Sequence, residues 1–253
     1  MTQRRQRSRL LLAFVIFSSI ILNFAEDCRS NNALLKEKLR QRNRVSHEPP
    51  SEGLLLSLKI QDLRLSSPST LLIDGFLTKR FQDASLDYSR DRPCDEYAVI
   101  RIANASTFDT PKISLMNGEW LSGGDKTQIN AVVYQNGTVF ETERIAISAP
   151  CSPNSTTPFG GLVCRLIWHN LAFSQNEMFV TWAEDVSENP AALEKALQSV
   201  ADYKVSHLEF KHNSIQKFDR VFDELTFEVV LSKSKTKELL LFYVPQIMFV
   251  AIA

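Results

Sequence analysis

Residues 225–231, LTFEVVL, place Leu225, Phe227, Val229 and Leu231 at every second position. That period turns all four side chains to one side of an extended chain, whereas a helix would scatter them. The same period recurs where Leu56, Leu58 and Ile60 alternate with Ser57, Lys59 and Gln61. Residues 128–147 hold two more such runs, QINAVVY and TVFETERIAI, with a turn at Asn136-Gly137 between them. Asn-Gly between alternating runs is a hairpin signal. Many short strands separated by turns predict a β-sandwich. Two segments break this texture. Residues 31–43 predict a short amphipathic helix whose Asn residues are able to cap it. ENPAALEKALQSV, residues 188–200, predicts a second helix, with Asn189 as cap and Pro190 at its first position.

The N-terminus sets the compartment. Arg4, Arg5, Arg7 and Arg9 precede an almost wholly apolar run from Leu10 to Phe24, and Ala25 is a small residue suited to cleavage. This pattern predicts a secretory signal peptide over residues 1–25. A membrane anchor is the other reading, but the run is short of the ~20 apolar residues that span a bilayer. Secretion places the remaining chain where disulfides persist. Cys151 and Cys164, close in sequence, are the natural bridge. They leave Cys28 and Cys94 as a remaining pair whose bonding the sequence leaves open. With no CxxC, the cysteines do not read as a zinc site. Asn104, Asn136 and Asn154 each open an Asn-x-Ser/Thr sequon, so glycosylation is expected.

Charge and motifs exclude several classes. Lys plus Arg number 29 and Asp plus Glu number 29, so no basic excess points to nucleic acid. No phosphate loop, nucleophile elbow or zinc-protease motif occurs, and Gly123-Gly124-Asp125 reads as a turn. His207 and His212 stand five apart, a spacing that does not share a helical face. No catalytic residue, metal site or cofactor is expected. A glycosidase-like use of the many carboxylates has no supporting constellation. Residues 239–253, LLLFYVPQIMFVAIA, are apolar except for Gln246. They read as the opening of a transmembrane helix.

The stretch CSPNSTTPFGGLVC, residues 151–164, resembles the signature loop of the Cys-loop receptors, the pentameric ligand-gated ion channels. Pro158-Phe159 stands at the family's distance before the second cysteine, with Gly160 where the family has Asp. Other motifs follow in the family's order. Phe81-Gln82-Asp83 with Leu86 and Tyr88 is similar to W-x-D-x-x-L-x-W. Pro111 and Asn117 match a W-x-P-D motif and its downstream Asn. QNGTVF resembles the Gly-x-Val strand. FDELTFEVVLSK and the apolar segment after it resemble the last extracellular strand and first membrane helix, and Tyr-Val-Pro is most like the anion-channel branch.

The resemblance implies a mostly β fold: a twisted immunoglobulin-like β-sandwich of about ten strands with a short N-terminal α-helix, ending in a truncated transmembrane helix. It implies a ligand-binding domain over 31–237 and the first membrane helix from 238 to 253. The chain would be a subunit of a neurotransmitter-gated channel at the plasma membrane, assembled with other subunits into a homo- or hetero-pentamer. It would bind a small neurotransmitter-like ligand between subunits, in a box of aromatic rings suited to a cation. The family's principal binding tryptophan falls at Leu171, with Phe173 nearby, and Glu224 stands where glycine and glutamate channels have an extra cysteine. Phe81, Phe173, Phe218 and Phe222 are the candidate ligand-binding residues, and Pro158, Phe159 and Lys233 the candidate coupling residues. A pore-less secreted or tethered binding protein of the same fold is the alternative.

Overall fold

A computed structural model describes residues 28–42, 53–67, 69–102, 110–122, 129–155, 160–170, 173–183, 199–200, 202–233 and 243–252. The expected signal peptide over 1–25, Asn104, Pro158, Phe159 and residues 188–198 of the second expected helix lie outside these. Ser199 and Val200, read as the end of that helix, instead form a strand against Tyr203 and Lys204.

Helix α1 (Asn31–Arg42) comes first. The strands are β1 (Leu54–Ser67), β2 (Thr70–Gln82), β3 (Tyr97–Ile102), β4 (Ser114–Leu115), β5 (Glu119–Ser122) and β6 (Ile129–Tyr134). They continue as β7 (Thr138–Pro153), β8 (Gly161–His169), β9 (Val180–Trp182), β10 (Ser199–Val200), β11 (Tyr203–Lys217) and β12 (Arg220–Lys233), and helix α2 spans Val244–Ile252. The described residues thus contain twelve strands rather than about ten. Several are two to four residues long, and such short runs carry no legible period.

Antiparallel pairing carries the path β10-β11-β12-β8-β7-β2-β1, and β9 adds to β1 in parallel. β6 and β3 extend from β7, and β5 also pairs with β7. The 16-residue β7 serves both halves: its first part pairs β2 and β6, its end pairs β8. The result is a barrel-like sandwich with its core between the halves.

The alternation read in the sequence is the alternation of the core. Leu54, Leu56, Leu58 and Ile60 point inward, and a register shift after Ile60 resets the phase so that Leu63 is next inside. A bulge does this because one extra residue inverts a period of two. Leu225, Phe227, Val229 and Leu231 are all buried. An aromatic chain crosses this interior: Trp168 lies 5.6 Å from Trp182, Trp182 5.0 Å from Phe210, and Phe210 4.9 Å from Phe227, between ring centroids. The Trp182 indole N–H donates to the Lys211 carbonyl at 2.9 Å.

Local signals differ in two places. Asn31 does not cap α1. Its side chain donates to the carbonyls of Asp95 and Tyr97 and accepts from the Asp95 N–H, while the Ser30 carbonyl starts the helix. Leu34 and Leu35 are buried, and the Cys28–Cys94 disulfide ties the entering chain down. The β6–β7 hairpin forms, but not as a two-residue Asn-Gly turn. The Gly137 N–H donates to the Tyr134 carbonyl, and only Gly137 has a positive φ, of 82°. Gln135 and Asn136 therefore form the turn and Gly137 follows as its left-handed residue. A Cβ at Gly137 would lie 2.4 Å from the Asp83 carbonyl oxygen.

Helix α2 has nine residues, with Ile247, Phe249 and Val250 exposed. No helix among the described residues is long and apolar enough to cross a membrane.

Lys79 and Glu141 form an ion pair that faces the core. Lys79 on β2 and Glu141 on β7 are register partners, with Nζ 3.5 Å from Oε1. The Glu141 side chain is almost fully enclosed, and its second oxygen makes no hydrogen bond to the described residues. Breaking a buried pair on one side leaves a charge without its partner, whereas replacing both charges by apolar groups is often neutral. Glu141→Leu is expected to destabilise the protein by about 3 kcal/mol in urea unfolding, and the Lys79→Met/Glu141→Leu double variant to recover most of that loss.

Candidate functional site

Among the described residues the β11–β12 hairpin is the longest two-strand unit, paired from Tyr203↔Lys233 to Lys217↔Arg220 with a register shift between Val205 and His207. Phe218 and Asp219 form its turn, both left-handed, with φ of 50° and 60°. Such turns favour Asn and Gly because a Cβ clashes there. A phenylalanine in that region is strained by about 1–2 kcal/mol. Phe218 is nonetheless 95 % exposed.

Behind the turn, β12 presents Phe222, Glu224, Thr226 and Glu228 on its outward side, since alternate residues share a face. β8 lies alongside, with Glu224 opposite His169 and Glu228 opposite Arg165. His169 Nε2 donates to Glu224 Oε2 at 2.7 Å. The histidine is buried, and its Nδ1 makes no hydrogen bond to the described residues. Phe222 is half-buried, two residues from Glu224 on the same side. The site thus combines an aromatic ring, a carboxylate and a buried imidazole with one nitrogen unspent. On the inner side, Asp223 is buried. It accepts from the Val180 N–H and from His212 Nε2, both at 2.7 Å. The His212 ring meets Phe179 edge-on at 5.4 Å. These contacts tie the turn end of the hairpin to β9 and to Phe179 before it.

The loop from 173 to 178 packs against the hairpin. The Gln175 N–H donates to the Val221 carbonyl. Glu177 accepts from both the N–H and the hydroxyl of Ser174, at 2.8 Å each. These bonds, first the backbone one, hold the Glu177 carboxyl below its usual range, and Arg220 adds to the effect.

Of the candidate ligand-binding residues, the structure gathers only part. Phe218 and Phe222 lie on the hairpin. Phe173 is half-buried and packs on the core, its N–H bonded to the Asn170 side chain. Phe81 is corrected: it is 3 % exposed and belongs to the core, so no ligand reaches it without unpacking the sandwich. Its motif is structural. Asp83 accepts from the Ser85 N–H, Leu86 is fully enclosed, and the buried Tyr88 donates its hydroxyl to the Val133 carbonyl.

The loop cysteines, Cys151 and Cys164, are directly opposed on β7 and β8, bonded, with Cα atoms 4.0 Å apart. Ser152↔Val163 and Pro153↔Leu162 continue the pairing, and the Asn154 N–H donates to the Gly161 carbonyl. Pro158 and Phe159 lie beyond, outside the described residues. Lys233 ends β12 opposite Tyr203, half-buried. Asn117 clasps β8, donating to the Arg165 carbonyl and accepting from the Ile167 N–H.

Sequence reasoning missed the His169–Glu224 and His212–Asp223 pairs. It also missed an exposed face on β2, β7, β6 and β3, where Arg80 stacks on Phe140, Phe140 meets Tyr134 and Tyr134 meets Tyr97. Strand period alone could have placed Arg80 and Phe140 outward, but not against each other.

Residues 57–234 match the family described as neurotransmitter-gated ion-channel ligand binding domain. The chain belongs to that family, a family of channels. Its relatives include ligand-gated ion channel 50 of Caenorhabditis elegans, 23% identical over 184 residues, covering 68% of this chain and 37% of that protein. Probable ligand-gated ion channel 46 of the same organism is 20% identical, covering 71% and 36%. Its acetylcholine-gated chloride channel subunit acc-2 is 22% identical over 149 residues, covering 56% and 33%. The chain spans about a third of the length of these relatives.

A carboxyl whose folded pKa is depressed stabilises above its unfolded value, and that contribution is lost as pH falls through the folded value. Protection of the Ser174 amide against hydrogen exchange, relative to its intrinsic rate, should therefore fade as pH drops below the usual glutamate range. Glu177→Gln should lower that protection at neutral pH. Equal protection in the variant would show that the carboxylate does not hold the loop.

Proposed function

We infer that the chain is an extracellular ligand-binding subunit of a pentameric channel at the plasma membrane. It enters through a signal peptide over 1–25, its binding domain runs over 31–237, and its first membrane helix starts near 238. The ligand is a small molecule with a cationic amine, bound where the β11–β12 hairpin meets a neighbouring subunit. The observation that carries this reading is the half-buried Phe222 beside the Glu224 carboxylate on one face of β12. A ring face attracts a cation through its quadrupole, by ~2 kcal/mol when desolvated, and the carboxylate adds charge. The name of one relative, an acetylcholine-gated chloride channel subunit, supports a ligand of that chemistry. Phe218 at the exposed turn and Phe173 in the adjoining loop belong to the same site. Closing a partner surface over Phe218 would give its strained backbone a purpose.

Coupling to the pore then runs through the disulfide hairpin. Cys151–Cys164 fixes the base from which Pro158 and Phe159 reach the membrane domain, and Lys233 leads from β12 into the first membrane helix. A base pinned by a covalent bond and strand pairing transmits a shift between two packings.

The test is the full-length channel, expressed with its natural partner subunits and challenged with acetylcholine and then other small amines. Phe222→Ala should raise the half-maximal concentration by about tenfold or more, as loss of a cation–ring contact predicts, with surface expression unchanged. Loss of surface expression instead would make Phe222 a packing residue. Phe218→Asn separates strain from binding. It should stabilise the domain by about 1 kcal/mol, because Asn tolerates the left-handed region, while weakening the response.

A further inference from the structure

Three sequons stand in the chain, and their surroundings differ. Asn104 lies outside the described residues. Asn154 is half-buried at the base of the disulfide hairpin, its N–H bonded to the Gly161 carbonyl. Asn136 is exposed at the β6–β7 turn, where Gln82 Nε2 donates to its carbonyl and its Oδ1 accepts the Thr138 N–H. Those bonds fix the turn and leave Nδ2, the atom that takes a sugar, with no hydrogen bond to the described residues.

Beside it opens a cavity of about 450 Å³, walled by Arg80, Glu96, Tyr134 and Phe140 with Asn136 on its lining. The rings run on from there: Phe140 to Tyr134 at 5.5 Å and Tyr134 to Tyr97 at 5.8 Å. Tyr97, Val99 and Tyr134 are all exposed. Beneath them, among the described residues, β3 pairs with β6, and Asn31 Nδ2 donates to its Tyr97 carbonyl. A secreted chain that leaves such an apolar face uncovered is prone to associate.

We propose that Asn136 carries an N-linked glycan whose first N-acetylglucosamine residues lie in this cavity, against Tyr134 and Phe140. A pyranose has one face of C–H groups that packs on an aromatic ring, and a rim of hydroxyls and an amide. The rings supply the first partner, and Arg80 and Glu96 at the wall supply a donor and an acceptor for the second. The glycan shields the aromatic face, and its bulk keeps that side soluble. This assignment needs only entry into the secretory pathway and stands apart from the channel reading.

The experiment expresses the full chain in a eukaryotic secretory cell and maps its glycopeptides by mass. The peptide containing Asn136 should carry hexosamine, and Asn136→Gln and Thr138→Ala should each abolish that increment. The native glycoprotein is then digested with a peptide N-glycosidase. Release from Asn136 should be about tenfold faster in Tyr134→Ala than in the parent, the factor one lost ring contact predicts. Tyr134 is partly exposed, so this variant should fold, and unchanged unfolding in urea would verify it. An unmodified Asn136 in the secreted chain overturns the proposal. Occupancy with equal release rates overturns the placement of the sugar on the rings.

Discussion

Hydrogen bonding by β7 to both halves of the sandwich is the constraint on which the remaining structure depends. Its first residues pair with β2 and β6, and its last three with β8. A strand's backbone groups must find partners along their whole length. A 16-residue strand that changes neighbours therefore fixes where one half hands over to the other. The Cys151–Cys164 bond sits at that handover. Closing so short a loop removes roughly 3 kcal/mol of unfolded-chain entropy in the simple model, and here it also locks two strands in register.

From that frame the candidate site follows. β8, held to β7 by the disulfide, sets the position of β12 by nine consecutive register pairs, and β12 carries β11. Phe222 and Glu224 thus stand at a fixed height above the disulfide hairpin on one continuous ladder. The mutual positions of the candidate site on β12 and the Cys151–Cys164 bond are a consequence of strand pairing. The buried aromatic chain from Trp168 to Phe227 stiffens the same ladder from within, because close-packed rings resist sliding.

The molecule's polar groups divide by their neighbours. Lys79 and Glu141 face the core and answer each other, while His212 and Asp223 anchor β9 to the hairpin. His169 and Glu224 face outward at the candidate site. No one of these pairs is near in sequence. The closest partners, His212 and Asp223, stand on opposite arms of the hairpin. Phe81 and Tyr88 teach the converse point. They occupy a motif recognisable from sequence, yet their role is to fill the core beneath the turn at Asp83.

The sequence by itself determined the class of fold. Its period-two runs at Leu56–Ile60 and Leu225–Leu231 are the core, and its cysteine loop, the Asn136-Gly137 turn signal and motif order pointed to the family. Period is a local property, so it survives in a single chain read end to end. Tertiary structure decided which phenylalanines are available. Phe81 and Phe222 sit in strands of similar texture, and only the packing of one half on the other buries the first and leaves the second at the surface. It also decided that Asn31 would bind Asp95 rather than cap its helix, and that Arg80 would lie over Phe140. Each is set by residues tens of positions apart, brought together by register, and register is a property of the paired strands and not of either strand alone.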